Sequence, residues 1–299
     1  MVEQLAHGYA SAVSGARIVA AHVALSGKAS IRQEHKHTMT PSNRDVHHAA
    51  AQGYTTTADN YVRGRPDYPP AVAGWLRETL GLAAGRTVID LGAGTGKFTP
   101  RLLETGATVI AVEPVEQMRD KLSAALPQVE ALAGTAAAIP LDDASVDAVV
   151  CAQSFHWFAT REALAEIHRV LKPGGRLGLV WNLRDARVGW VAQLDRIVNR
   201  AEGDTPRYYT GAWRSVFPFA GFSTLQEAHF SIGHTGSPED VIVARVRSTS
   251  FIAALPEAAR AQIDAEVRAL IAAEPELAGK DIVTLPYETA AFCTIKEGA

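Results

Sequence analysis

Apolar runs alternate with amphipathic stretches through the middle of the chain. The runs are nearly continuous in aliphatic residues and lie at Thr87–Leu91, Thr108–Val112, Val146–Ala152 and 177–181. Runs of this length and composition predict buried strands. Between them, apolar residues recur every three or four positions, which predicts helices at 69–80, at 98–104, from Pro114 and from Thr160. Strands and helices in this alternation predict a parallel sheet that is covered on both faces.

The pattern changes after about residue 186. A further strand is predicted at 225–232, a long helix at 256–274 and a last extended segment at 282–295. Pro286 lies near the centre of that last segment, and it favours an edge strand or a bent strand because proline cannot donate to a ladder. The segment 187–222 is rich in aromatic residues, and it is either an inserted helix pair with a small core of its own or a lid that supplies aromatic walls to a substrate pocket.

The chain therefore divides into four predicted parts. Residues 1–50 hold six of the ten histidines among polar, loop-like residues, without cysteine or acidic residues at ligand spacing, so they predict a flexible extension and no metal site. Residues 51–186 form the predicted core and 187–222 the insert or lid. Residues 223–299 supply the strands and helix that complete the sheet.

Composition narrows the possible partners. Lys and Arg number 29 against 32 Asp and Glu, a net charge of -3, so there is no basic field to hold nucleic acid or an anionic membrane. We find no apolar run long enough to span a bilayer. Cys151 and Cys293 lie far apart and neither belongs to a CxxC motif. These features predict a cytoplasmic protein that acts on a small molecule, and we expect it to be a monomer or a homodimer.

The candidate chemistry centres on one glycine loop in the string VIDLGAGTGKFT, from Val88 onward. Three glycines alternate between a predicted strand and a predicted helix, which is where open α/β sheets bind ligands. A dinucleotide fingerprint, G-x-G-x-x-G, fails because Lys97 occupies the third glycine position. Glu113 ends the second strand, where a carboxylate can accept from both ribose hydroxyls, but this position serves NAD equally well.

The pattern D-x-G-x-G-x-G at this loop resembles motif I of class I methyltransferases that use S-adenosylmethionine. Further strings resemble that family: GTAAAIPL its adenine loop, DDASVDAVVCAQSFHWF its fourth strand, and EIHRVLKPGGRLGLVWN its fifth. YVRGRPDYP resembles the opening segment of a small-molecule subgroup with a type 11 methyltransferase domain, which includes trans-aconitate methyltransferases. The resemblance covers about residues 54–185. It implies an α/β, Rossmann-like, doubly wound sheet of seven strands, mostly parallel with an antiparallel last strand, plus the helical and aromatic insert.

The resemblance also implies S-adenosylmethionine as the cofactor and a set of residues that bind it: Tyr61, Arg65, Asp90, Gly92, Gly94, Thr95, Glu113, Thr135, Ala136 and Gln153. Asp90 would orient the amino group of the cofactor, and Gly92 and Gly94 would lie against its methionine moiety. Glu113 would hold the ribose hydroxyls, and the backbone N–H of Ala136 would meet adenine.

The remaining implied contacts lie at the methionine end and at the adenine. Tyr61 and Arg65 would sit over the cofactor carboxylate, and Gln153 would face the methionine or the reacting centre. Thr135 stands where many relatives carry an acidic residue, which implies a weaker contact with the adenine amino group.

The acceptor site is predicted beside the SFHWF string. His156 is the candidate catalytic residue, because an unperturbed imidazole can take a proton near neutral pH; the alternative is that it only packs the loop. The candidate acceptor-binding residues are aromatic: Trp157, Trp190, Tyr208 and Trp213. Several arginines lie in or beside the insert and suit an anion, or else form a solvated helix face: Arg184, Arg187, Arg196, Arg207 and Arg214.

The expected activity is methyl transfer to a small molecule through a carboxylate or a hydroxyl oxygen. A carboxylate needs no base, since it is already ionised at neutral pH. Two alternatives stay open at this point: a catalytically silent cofactor-binding or interaction protein of the same fold, and an NAD-dependent oxidoreductase.

Overall fold

A computed structural model describes residues 65–298 of the chain. Its strands are β1 Thr87–Leu91, β2 Thr108–Val112, β3 Glu130–Leu132, β4 Val146–Ala152, β5 Leu171–Arg184, β6 Gln226–Gly236 and β7 Val283–Ile295. They form one seven-stranded sheet in the order β3-β2-β1-β4-β5-β7-β6. The pairs from β3 to β5 are parallel, whereas β7 runs antiparallel to both β5 and β6. The predicted fold class is confirmed. The predicted extension over residues 1–50 and the candidate Tyr61 lie outside the described residues.

Helices separate the strands. They are α1 Ala71–Glu78, α2 Thr99–Leu103, α3 Glu116–Ala125, α4 Arg161–Val170, α5 Gly189–Asn199, α6 Ala244–Arg247, α7 Ser250–Ala253 and α8 Glu257–Ala273. Thr160 caps α4 as predicted, because its side chain accepts from the backbone N–H of Ala163 at 3.1 Å. No helix within residues 65–298 is long and apolar enough to cross a membrane.

The sheet is covered on both faces by separate apolar clusters. On one face, α4 buries Leu164 and Ile167 against the sheet. On the other face, α1, α2 and α3 bury Leu76, Leu102 and Leu122. Because both faces are covered, the parallel strands are apolar on both sides, which is why their sequences read as continuous runs.

The segment 187–222 has no separate core. One interpretation of its sequence was a helix pair. The structure instead has one helix, α5, and two short 3₁₀ turns, Tyr208–Thr210 and Ala212–Val216. Trp190 packs in a third apolar cluster with residues of α8, whereas Trp213 packs on the sheet with its ring 4.7 Å from that of Trp181. The large aromatic side chains of the segment therefore join two different clusters.

The last strand was predicted as an edge strand or a bent strand, and the edge alternative is wrong, because β7 lies between β5 and β6. Pro286 pairs with Gly233 of β6, and its carbonyl accepts from the N–H of Asp185. The nitrogen of a strand residue points to the same side as its carbonyl, so the N–H that Pro286 lacks would face Asp185, the first residue after β5 ends. The proline therefore removes a donor only where the pairing with β5 stops.

Two elements gave no recognisable sequence signal. The strand β3 has three residues, too few for a period. The segment that follows β6 begins with a π turn, Glu239–Val243, and continues into α6 and α7. These are short helical pieces of different geometry, so no single spacing of apolar residues runs through them.

Candidate active site

A cavity opens at the carboxyl ends of β1, β2 and β4, and its space, including the part open to solvent, is about 1310 Å³. It is lined by nine of the predicted cofactor-binding residues: Arg65, Asp90, Gly92, Gly94, Thr95, Glu113, Thr135, Ala136 and Gln153. We call this space the first cavity. Neighbouring parallel strands end at the same edge of the sheet, which explains why residues that are far apart in the sequence converge there.

Three glycines form the turn from β1 into α2. Gly92, Gly94 and Gly96 have φ values of +69°, +59° and +82°, in the left-handed region that side chains disfavour. A Cβ on Gly92 would also lie 2.8 Å from the Cβ of Ser154. The backbone conformation therefore favours glycine at all three positions, and the close approach of the loop after β4 adds a second constraint at Gly92.

Glu113 is fixed by the glycine loop itself. Its Oε2 accepts from the N–H of Gly94 at 2.9 Å, and its Oε1 accepts from the N–H of Val115 at 3.0 Å. Burial is the largest influence on this carboxyl and raises its pKa. Each carboxylate oxygen can accept more than one hydrogen bond, so Glu113 retains acceptor capacity for two hydroxyl groups.

Asp90 is the second buried acid of the first cavity. It is 1% exposed, and its Oδ2 accepts from the hydroxyl of Thr99 at 2.7 Å. Burial raises the pKa of Asp90 to about 7; the Thr99 hydrogen bond opposes this shift and the nearby Glu113 adds to it. A buried carboxyl with no cation beside it would be stabilised in its ionised form by a cationic ligand.

Gln153 is the residue after β4 and is held in an unusual conformation. Its φ is +59°, uncommon for a residue with a side chain, and its Nε2 donates to the carbonyl of Asn182 at 3.2 Å. Backbone strain of this kind concentrates at ligand sites. Gln153 lines the first cavity and also the second cavity described below.

Comparison with known proteins agrees with this geometry. Residues 89–179 match a methyltransferase domain family. The uncharacterized methyltransferase Rv3342 of Mycobacterium tuberculosis is 45% identical over 251 residues, which cover 84% of this chain and 97% of that protein. The uncharacterized methyltransferase-like C25B8.10 of Schizosaccharomyces pombe is 39% identical over 82% of this chain and 96% of that protein. The chain belongs to the class I S-adenosylmethionine-dependent methyltransferases.

Solved structures show the same fold for this methyltransferase. A protein assigned as a type II methyltransferase from Anaeromyxobacter dehalogenans matches with a TM-score of 0.58 and 24% identity, over 78% of this chain and 97% of that one. A phosphoethanolamine N-methyltransferase of Haemonchus contortus, solved with S-adenosylhomocysteine, matches with a TM-score of 0.51 and 14% identity, over 84% of this chain and 59% of that one.

The first cavity fits the cofactor of a methyltransferase. A buried carboxylate at Glu113 suits ribose hydroxyls, and a second acid at Asp90 suits a cationic amino group. The glycine loop lets a ligand approach the backbone, because it presents no Cβ at Gly92 or Gly94.

A second cavity, about 630 Å³ including the part open to solvent, adjoins the first. Five residues line both cavities, which are therefore continuous: Arg65, Gln153, Trp157, Asn182 and Arg245. Two of the predicted acceptor residues, Trp157 and Tyr208, line the second cavity. The other two do not, since Trp190 and Trp213 are 3% and 1% exposed and lie in the apolar clusters.

Four arginines line the second cavity: Arg65, Arg184, Arg207 and Arg245. Arg184 pairs with the buried Asp195 at 2.5 Å, and Arg207 lies 3.7 Å from Glu202. The guanidinium of Arg245 donates to the hydroxyl of Thr249 at 3.1 Å. Positive charge is therefore in excess over the two carboxylates in this space.

The other three predicted arginines lie elsewhere. Arg187 pairs with Asp185 and Glu288, and Arg214 pairs with Glu227 at 3.1 Å on the surface. Arg196 is exposed on α5. The solvated-face interpretation therefore describes these three, whereas Arg184 and Arg207 turn inward.

His156 lines the second cavity but is not suited to take a proton. The N–H of the Trp181 indole donates to Nδ1 of His156 at 3.1 Å, so the imidazole lone pair is already engaged. Burial lowers the pKa of His156 to about 3, and the charges of Arg207 and Arg65 add to the shift. The neutral side chain packs beside Trp157, with ring centroids 5.0 Å apart.

The cavity-lining residues that were not predicted from the sequence include three with polar side chains that bear on the acceptor: Asn182, Arg245 and Tyr287. Asn182 directly follows the predicted strand 177–181, so the convergence of strand ends could have identified it. Arg245 follows the π turn, and Tyr287 lies on the antiparallel β7. Neither position belongs to a motif or to the end of a parallel strand.

Proposed function

We propose that this methyltransferase methylates a small anionic molecule through a carboxylate oxygen, with the cofactor in the first cavity and the acceptor in the second. The observation that carries the proposal is the set of four arginines around the second cavity, which the first cavity joins. Guanidinium groups bind carboxylates with paired, charge-assisted hydrogen bonds.

The proposed cofactor contacts follow the chemistry of the first cavity. Glu113 binds the ribose hydroxyls, Asp90 binds the amino group, and Thr135 and Ala136 contact the adenine. Arg65 and Gln153 line both cavities and so lie toward the acceptor. A fixed carboxylate such as Glu113 gives a strong, oriented contact because its own backbone hydrogen bonds hold it in place.

When bound, S-adenosylmethionine supplies a methyl group on a cationic sulfur: a lone pair of the acceptor oxygen forms the new C–O bond, the C–S bond breaks with its electrons retained by sulfur, and no proton moves. The protein aligns the carboxylate and excludes water from the two cavities. Alignment of reacting groups can lower a barrier by roughly 7–11 kcal/mol.

A hydroxyl acceptor is the second candidate and would need a group to accept its proton. His156, the histidine of the second cavity, has its lone pair occupied and a depressed pKa. The two carboxylates near the arginines are engaged with Arg184 and Arg207. These observations favour a nucleophile that is ionised before it binds.

Turnover on matched acceptors tests the proposal. The full chain is incubated with S-adenosylmethionine and with carboxylates of increasing charge, namely benzoate, succinate and citrate, or with the corresponding alcohols and amides. We expect S-adenosylhomocysteine to form with at least one carboxylate and with none of the neutral analogues. Turnover on the alcohols alone would contradict the carboxylate assignment. Binding of S-adenosylmethionine without turnover on any acceptor would support a silent cofactor-binding protein.

A further inference from the structure

The buried polar atoms beside the cavities that lack a hydrogen-bond partner within residues 65–298 include Nε of Arg245 and the hydroxyl oxygen of Tyr287. Tyr287 is 1% exposed and lines the first cavity, while Arg245 lines both cavities. A donor that is buried without an acceptor is costly, and such groups in native proteins call for an explanation. A ligand oxygen between the two side chains would supply the acceptor that each one lacks.

The surroundings of Arg245 are polar and cationic. Its Nη1 donates to the hydroxyls of Ser248 and Thr249, at 3.5 and 3.1 Å, and none of the ion pairs found in the described part of the chain includes it. Burial lowers its pKa to about 10; Tyr287 opposes the shift, and the arginines at 65, 184 and 207 add to it. Tyr287 is therefore near enough to act on Arg245 electrostatically, and a guanidinium in this setting lacks a counter-charge.

Rigid elements hold both side chains. Arg245 lies in α6, directly after the π turn Glu239–Val243, and π turns inside helices are frequent at functional sites. Tyr287 pairs in the sheet with Arg184, the last residue of β5, and so stands at the end of the strand that borders the second cavity. Groups fixed in this way can bind a ligand without first being ordered.

We propose that Arg245 and Tyr287 together bind the reacting carboxylate of the acceptor where the two cavities meet. Their N–H and O–H groups hold the oxygen that does not receive the methyl group, which leaves the other oxygen free to attack. This inference rests on the proposed function, since it concerns the same acceptor. Both residues bind the acceptor directly: they set the angle of attack and transfer no proton to it or from it.

The methionine moiety of the cofactor also has a carboxylate, which the same pair of side chains could bind. The test therefore measures the binding of the acceptor carboxylate and of the cofactor separately. Calorimetry measures the affinity of benzoate, succinate and citrate for the full chain saturated with S-adenosylhomocysteine. The variants are Tyr287→Phe and Arg245→Gln, with Arg86→Gln as the matched control because Arg86 is exposed and pairs with Asp147 at the amino end of β1. The affinity for S-adenosylhomocysteine and the melting temperature are measured for each.

We expect Tyr287→Phe to weaken carboxylate binding about tenfold and to leave the melting temperature unchanged or higher, because the hydroxyl has no partner to lose within residues 65–298. Its KM should rise more than its kcat falls. Arg245→Gln should weaken carboxylate binding further, and both variants should bind S-adenosylhomocysteine within about twofold of the parent. If both variants bind the carboxylates as tightly as the parent does, the inference is overturned and the proposed function stands.

Two other outcomes are informative in the same experiment. Loss of S-adenosylhomocysteine affinity with carboxylate affinity retained would show that the pair holds the cofactor carboxylate, which overturns the inference. A parent protein that binds none of the three carboxylates would overturn the proposed acceptor class, and the inference with it. Folding of Arg245→Gln is not required, since Tyr287→Phe alone decides the outcome.

Discussion

The indole N–H of Trp181 donates to Nδ1 of His156 at 3.1 Å. An indole nitrogen can only donate, so Nδ1 must be the acceptor and the proton of the neutral imidazole must be on Nε2. The side chain then presents an N–H at Nε2 and no free lone pair. This single contact turns the most obvious candidate base of the sequence into a hydrogen-bond donor.

The first prediction concerns the pH dependence of turnover. Because the pKa of His156 lies at about 3, its imidazole is neutral throughout the pH range of a turnover assay. With cofactor saturating, kcat for a carboxylate acceptor should be constant between about pH 6 and 8, since neither the nucleophile nor His156 titrates there. His156→Gln should lower kcat by less than about tenfold. A loss of 10²–10⁴ that removes a titration near pH 6.5 would instead identify a general base.

The second prediction concerns proton release on cofactor binding. The pKa of Asp90 is about 7 in the free protein, so at pH 6 its carboxyl is mostly protonated. Binding of a cationic ligand favours the carboxylate, so S-adenosylmethionine should release a proton and bind more tightly as pH rises from 6 to 8. Calorimetry in two buffers of different ionisation enthalpy measures this release. It should vanish in Asp90→Asn and persist in Asp143→Asn, whose carboxylate pairs on the surface with Arg169.

The same shift predicts an effect on the free protein. A carboxyl whose folded pKa is raised destabilises the fold as pH increases from its unfolded pKa of 3.8 to about 7, because the unfolded chain ionises first. Asp90→Asn should therefore melt at a higher temperature than the parent at pH 8, while binding the cofactor more weakly. A variant that is less stable than the parent at pH 8 would contradict burial as the cause of the shift.

The third prediction concerns Glu113. Glu113→Gln removes the charge and one of two acceptors that hold Gly94 and Val115. Hydrogen bonds to a charged group contribute about 1.5–3 kcal/mol, so the affinity for S-adenosylhomocysteine should fall about ten- to a hundredfold. Glu116→Gln, on the exposed start of α3, is the control. Unchanged affinity in a Glu113 variant that still melts cooperatively would refute its role.

The fourth prediction concerns the buried pair of Arg184 and Asp195, which are 6% and 9% exposed. Asp195→Asn leaves Arg184 without its counter-charge and should reduce stability by roughly 3–5 kcal/mol. Millimolar citrate should raise the melting temperature of this variant more than that of the parent, because a bound anion replaces the lost carboxylate. Asp185→Asn, which breaks a surface pair with Arg187, should cost under about 1 kcal/mol. Equal effects of citrate on parent and variant would place the anion elsewhere.

Much of the core could be predicted because each of its strands is marked by its own run of apolar residues. The strands β1, β2 and β4 were predicted with their observed bounds, since buried parallel strands have continuous apolar sequences. The central position of β7 could not be predicted: it depends on Pro286 lying beyond the end of β5, which is a matter of tertiary register. A proline that faces a strand's end and one that faces solvent have the same local sequence.

The acceptor side was less predictable than the cofactor side. Cofactor residues follow strand ends in a motif, whereas Arg245 lies in the short helix α6 after a π turn and Tyr287 lies in an antiparallel strand. The aromatic residues of the insert were also ambiguous: Tyr208 lines the second cavity, but Trp213, five residues later, is buried against the sheet. Composition indicates that a segment is apolar, but the side on which each residue packs depends on the turns between them.

The chemical nature of the methylated product tests the account most directly. The full chain is incubated with S-adenosylmethionine carrying a tritiated methyl group and with the small-molecule fraction of a cell extract, and the labelled product is treated with mild alkali. Methyl transfer to a carboxylate gives an ester, so we expect the label to be released as volatile methanol. Labelled product that survives alkali would be an ether or an N-methyl compound, and it would contradict methylation of a carboxylate oxygen.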